Sequence, residues 1–125
     1  MNKYKVLIID DDEFLLDMYS LKFKEEGFDV EVAIGGLEAL EKIKNGLEPN
    51  VILVDLVMPN MDGFEFIKEL KDKALAKNSK VVILTNLGQK EDIEKGIRLG
   101  ADDYIVKAYF TPSEIMKKIK NILNK

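Results

Sequence analysis

The chain has 125 residues, 46% hydrophobic and 34% charged, and its 19 basic and 23 acidic side chains leave a net charge of −4. That balance describes one folded domain over 1–125 and opposes non-specific nucleic-acid binding, which needs a basic surface. Cysteine and histidine are both absent, which removes thiol nucleophiles, Ser-His-Asp triads, zinc and iron–sulfur centres and imidazole bases.

Residues 1–5 lead straight into an apolar segment without the hydrophobic core of a signal peptide. The run 6–9 is continuously apolar and predicts a strand covered on both faces. A helix is expected over 13–26, capped by Asp12 and stopped at Gly27. Residues 28–34 alternate, with Phe28, Val30, Val32 and Ile34 against Asp29, Glu31 and Ala33, and predict an edge strand. A helix over 36–45 is expected to stop at Gly46, followed by a second fully apolar strand, 51–54. The helix over 63–75 opens on Asp62-Gly63-Phe64-Glu65, which has the form of a capping box.

A third apolar strand, 81–84, precedes a helix over 89–99, a short strand at 104–106 and a helix over 112–123. Thr111-Pro112-Ser113-Glu114 supplies that last helix with a hydroxyl cap, a proline at its first position and the reciprocal glutamate. The helix runs almost to the C-terminus, so no appended module is expected. No apolar run nears the ~20 residues that span a bilayer. A cytoplasmic protein without a membrane partner is therefore expected.

Five strands alternating with five helices through short links predict an α/β fold, a doubly wound, flavodoxin-like parallel sheet. The fully apolar strands belong in the middle and the alternating one at an edge, which gives the order 2-1-3-4-5. In such a sheet ligands bind beyond the carboxyl ends of the strands, where the winding reverses, here between strands one and three. Strand one ends in Asp10-Asp11-Asp12, strand three in Asp55, strand four in Thr85 and strand five in Lys107. Two like charges ~4 Å apart repel by about 4 kcal/mol at an effective dielectric near 20. A converging acidic group therefore implies a protonated carboxylate or a bound cation. All-oxygen ligands select Mg²⁺, or Mn²⁺, while Thr85 and Lys107 are donors suited to a phosphoryl group beside it.

Four segments carry a family resemblance: Val-Leu-Ile-Ile-Asp10-Asp11, Val-Ile-Leu-Val-Asp55-Leu-Val-Met-Pro59-Asn-Met-Asp-Gly63, Val-Val-Ile-Leu-Thr85 and Gly100-Ala-Asp-Asp-Tyr104-Ile-Val-Lys107. Together they resemble the receiver domain of bacterial two-component response regulators, in the single-domain form of chemotaxis regulators, over residues 3–123. The resemblance implies that Asp55 takes a phosphoryl group from a sensor histidine kinase or a histidine phosphotransfer protein. It implies Mg²⁺ on Asp10, Asp11, Asp55 and the backbone carbonyl of Val57, with Lys107 and Thr85 on the phosphoryl oxygens. Thr85 and Tyr104 are then the switch pair that repacks the face of the fourth helix, fifth strand and fifth helix. Through that face the domain is expected to control a protein target or form a homodimer, with no direct nucleic-acid contact. Under this reading the chain is a signalling receiver domain over 1–125 and not an enzyme.

Two positions depart from the family pattern. Ala108 stands where proline usually follows the lysine; a non-proline cis bond costs about 2.5–4 kcal/mol, so a trans bond is expected. Asn86 replaces a small residue after Thr85 and, with apolar Val57 and Leu87, implies a long-lived acyl phosphate. In the first helix Leu15, Tyr19 and Phe23 are expected to form the core stripe. Phe14, Met18 and Leu21 widen its apolar arc, which implies partner docking at Phe14, Met18 and Ala108. Asp102-Asp103 reads as a solvated turn, Met58 and Met61 as loop packing, and the C-terminal lysines as complements to the helix dipole. The rival reading is a haloacid-dehalogenase-like phosphatase with Asp10 as nucleophile. It leaves Asp55 and the loop after it without a role.

Overall fold

Where the sequence is apolar without alternation, the chain forms the inner strands of one parallel sheet. The computed structural model describes residues 3–124. In chain order the elements are β1 (Lys5–Ile9), α1 (Glu13–Glu25), β2 (Asp29–Ala33), α2 (Gly36–Lys44), β3 (Val51–Val54), α3 (Gly63–Asp72), β4 (Lys80–Thr85), α4 (Lys90–Leu99), β5 (Asp103–Val106) and α5 (Pro112–Leu123). The strand order is β2-β1-β3-β4-β5, as the burial pattern predicts, with all four pairings parallel.

Alternate strand residues feed two cores, one on each face of the sheet. Leu7, Ile9, Ile52, Val54, Val81 and Ile83 pack with Leu40, Phe66, Ile67 and Leu70 from α2 and α3. Val6, Ile8, Val51, Leu53, Val82 and Leu84 pack with Leu16, Tyr19 and Phe23 from α1 and with Ile115, Met116 and Ile119 from α5. α4 sits on the first face through Gly96, where an added Cβ would lie 2.5 Å from Ile83 Cδ1 and 3.4 Å from the Tyr104 ring.

The local chemistry at the helix ends explains most boundaries. Asp12 caps α1 by accepting from the Leu15 N–H at 3.2 Å. Asp62 with Glu65, and Thr111 with Glu114, each form a complete capping box. α1 and α2 stop at left-handed glycines, Gly27 (φ 89°) and Gly46 (φ 111°). α3 stops three residues earlier than its periodicity predicts. Ala74 takes the left-handed position at φ 52°, and the Ala74 and Leu75 N–H groups donate to the carbonyls of Lys71 and Leu70. This is the hydrogen-bond pattern of a Schellman motif, closed by alanine where glycine is the usual residue.

Four further expectations are corrected. The core stripe of α1 is Leu16, Tyr19 and Phe23, not Leu15, because Leu15 lies one helical step away and faces the cleft described below. Ile34 lies beyond β2 and is 54% exposed, while Ala33, on the other face, is buried. Asp102 and Asp103 are exposed as expected, but Asp103 already belongs to β5, and Asp102 Oδ2 accepts the Val81 N–H at 2.8 Å. Residues Lys107–Tyr109 form a single 3-10 turn in a link for which the sequence predicts no element. Met58 is buried and Met61 packs on Gly36, as loop packing requires. The Lys107–Ala108 peptide is trans, since no described peptide bond is cis.

A candidate phosphoacceptor site

The carboxyl ends of β1, β3, β4 and β5 open into a cleft of about 420 Å³. Its lining includes Asp10, Asp11, Asp12, Asp55, Val57, Thr85, Asn86, Leu87 and Lys107. All six strand-end residues singled out in the sequence therefore share one space. The parallel register brings this about: Ile9 pairs with Val54, so Asp10 and Asp55 are level, while Thr85 lies one residue further along β4 and Lys107 one further still, beyond Val106.

Asp10, Asp11 and Asp55 each present a carboxylate oxygen within 4.8 Å of the others. Among the described residues this is the one group of three or more potential ligands so arranged. Lys107 reaches between the two inner carboxylates, with Nζ 2.6 Å from Asp10 Oδ2 and 3.1 Å from Asp55 Oδ2. The remaining oxygens are held by backbone: Asp10 Oδ1 accepts the Asp12 N–H at 3.0 Å, and Asp55 Oδ1 accepts the Val57 N–H at 3.3 Å. Burial pushes the Asp10 carboxyl above its usual value, against the pull of Lys107 and the Asp12 N–H. Burial alone lowers the Lys107 ammonium, but its bonds and charges with Asp10 and Asp55 prevail and hold it above the usual lysine value. The cleft is therefore electrostatically strained for anions and stabilises added positive charge.

Thr85 is fully buried and accepts the Leu87 N–H on Oγ1 at 3.4 Å. Two residues further on, the Leu87 carbonyl accepts the Tyr104 hydroxyl at 2.6 Å. Tyr104 is thus half-buried and tied to the loop that follows Thr85, and burial, with Asp92 and Asp55, pushes its phenol up to about 12. Val57, in the cleft lining, is 60% exposed; Phe14, on α1 and outside that lining, is 76% exposed, Ala108 is also exposed, and Met18 is half-buried.

Sequence reasoning missed three neighbours of the site. Leu15 forms part of its wall. Tyr19 is buried behind it, close enough to Lys107, Asp10 and Asp55 for their charges to act on its phenol. Tyr109 spans the two donor loops, its hydroxyl 3.2 Å from the place a Cβ would take on Gly88. None has a motif, because each acts through tertiary position alone.

Clustered carboxylates, with an ammonium and a hydroxyl opposite, define a class of phosphoryl-receiving signalling domains. A family model of the response regulator receiver domain matches residues 6–120, and the chain belongs to that family. It is similar to the transcriptional regulatory protein CpxR homolog of Haemophilus influenzae, 39% identical over 97% of this chain and 51% of that protein. It is also similar to the alkaline phosphatase synthesis transcriptional regulatory protein PhoP of Bacillus subtilis, 35% identical over 100% of this chain and 50% of that protein. The chain spans about half the length of these curated relatives. Among solved structures, the CheY-like receiver domain protein of Methanospirillum hungatei superposes with a TM-score of 0.89 at 31% identity, covering 98% of this chain and 95% of that one. Chemotaxis protein CheY4 of Vibrio cholerae gives 0.88 at 32% identity, covering 96% and 98%.

The phosphatase alternative is not favoured by the family match. Among the described residues no helix is long and apolar enough to cross a membrane.

Proposed function

We propose that Asp55 is the phosphoacceptor of this two-component receiver. One Asp55 oxygen attacks the phosphorus of a phosphohistidine on a kinase or phosphotransfer protein; the P–N bond breaks and the imidazole leaves with its electron pair. The observation that carries this reading is the Asp55–Lys107 contact at 3.1 Å inside a cleft lined also by Thr85. Lys107 and Thr85 are then placed to donate to the oxygens of the arriving phosphoryl group.

The all-oxygen donor set of Asp10, Asp11 and Asp55, in a chain without histidine or cysteine, fits a hard divalent cation. These residues and the Val57 carbonyl would hold Mg²⁺, or Mn²⁺ in its place, which supplies charge neutralisation for the incoming phosphate. Phosphorylation adds about −1.5 to −2 charge. That charge draws the Thr85 hydroxyl and, through Leu87, the Tyr104 side chain, which biases a two-state surface of α4, β5 and α5 toward a protein target or a second copy. Phe14, Met18 and Ala108 form the docking edge for the phosphodonor protein. The domain acts in the cytoplasm, contacts no nucleic acid directly, and turns over no free substrate beyond loss of its own phosphoryl group.

Intact-mass measurement after incubation with acetyl phosphate and Mg²⁺ tests the reading. Wild type gains the mass of one phosphoryl group and Asp55→Asn gains none; equal labelling of both, or labelling of neither, overturns it.

A further inference from the structure

The opposite pole of the sheet holds a second cavity, of about 370 Å³, between the loops that follow α2 and α3. It has no part in phosphoryl transfer. Ile43, Leu47, Pro49 and Leu75 give it apolar walls, and its volume lies in the range of small-molecule sites. Three observations distinguish it from a plain surface hollow. Ala76, in its wall, holds φ at 51°, a left-handed conformation uncommon for alanine and, unlike that of Ala74, not required to end a helix. The N–H groups of Ala76, Lys77 and Asn78, also in the wall, have no backbone acceptor among the described residues. Lys44, Lys77 and Lys80 surround this pole without an ion pair among the described residues, whereas Lys73 and Lys68 are paired with Glu69 and Asp72. Of the three, Lys77 lines the cavity, where one carboxylate, Glu48, stands with it.

We propose that this cavity binds a small organic anion, a phosphate ester or carboxylate carried on an apolar body. The body packs against Ile43, Leu47, Pro49 and Leu75, and the anionic group takes the three free N–H donors and the Lys77 ammonium. A run of consecutive backbone donors held by a fixed turn is an anion-binding device, and charge-assisted bonds of this kind are stronger than neutral ones. An apolar molecule without charge leaves those donors unused; an anion without a body leaves the walls wet. The site stands whether or not Asp55 is phosphorylated.

The test is an NMR titration of the full ¹⁵N-labelled chain, with chelator present, using phenyl phosphate, inorganic phosphate and phenol as separate probes. Phenyl phosphate is expected to give saturable shifts confined to 43–50 and 74–79, and to bind more tightly than either of the other two. Lys77→Gln weakens it by about threefold, and Lys24→Gln, on α1, leaves it unchanged. Absence of saturation up to about 10 mM, shifts centred on the Asp10–Asp55 cleft, or equal binding of inorganic phosphate or phenol would each overturn the proposal.

Discussion

The Lys107 ammonium donates to Asp10 at 2.6 Å across 97 positions of sequence, and their side chains are only 7% and 5% exposed. This pair supplies the acidic cleft with its own counter-charge before any cation arrives. Breaking a buried pair from one side leaves the other charge uncompensated.

Lys107→Ala is therefore expected to lower stability in metal-free buffer by about 3–5 kcal/mol. It should also widen the stabilisation gained from Mg²⁺, since the freed carboxylates bind the ion without a competing ammonium. Urea unfolding of both proteins, with and without Mg²⁺, measures this; an equal Mg²⁺ increment in the two would contradict it.

Ala74 ends α3 at φ 52°, a position that glycine occupies without a steric penalty. Left-handed geometry costs a non-glycine residue about 1–2 kcal/mol, and the extra freedom of unfolded glycine returns about 0.4–1 kcal/mol of that. Ala74→Gly should thus stabilise the protein by about 0.5–1 kcal/mol in denaturant unfolding, whereas a loss of stability would show that the alanine methyl makes a packing contribution of its own.

Tyr104 offers a pH test. Burial, then Asp92 and Asp55, move its phenol from 10.0 to about 12. As pH rises the unfolded chain releases this proton first, so the contribution of Tyr104 is constant below 10.0 and declines between 10.0 and about 12. Tyr104→Phe should lack that part of the alkaline decline. The difference between the two unfolding curves, and the late step missing from the absorbance titration of the variant, check it.

Phe14 is 76% exposed on α1, whereas Met18 is half-buried and helps pack α1. Phe14→Ser consequently isolates docking from folding better than any change at Met18. It is expected to slow phosphorylation by a histidine-phosphorylated protein while leaving phosphorylation by acetyl phosphate at the wild-type rate. Equal losses with both donors would assign Phe14 to the chemistry instead.

Val57, Asn86 and Leu87 form the rim of the cleft, and none carries a carboxylate or an ammonium to position water for attack. The phosphorylated protein is expected to outlast free acetyl phosphate in the same buffer. Loss of the added mass over time gives the comparison, and faster decay than the free compound would refute the inference.

Much of the site was legible because it depends on local pattern. Continuous apolar runs mark strands covered on both faces, and the residue after each run must then lie at the ligand-binding edge of a parallel sheet. Asp10, Asp55, Thr85 and Lys107 follow from that rule, and Asp12, Gly27, Asp62 and Thr111 follow from capping chemistry within four residues of chain.

Other features have no short-range signature. Ala74 ends a helix with a left-handed φ, beside Leu70 in the core and Leu75 packed against it, and nothing in Lys-Ala-Leu-Ala announces it. Leu15 and Leu16 are chemically alike, and the exact rotation of α1 against β1 and α5 decides which enters the core. The placement of Tyr109 over Gly88, and of Lys107 between two carboxylates, depends on how the last strand docks beside β4. Sequence alone thus determined which residues reach the binding edge, since strand periodicity and caps act over a few positions. Only the tertiary structure decided which of them touch, because those distances arise from packing between elements far apart in the chain.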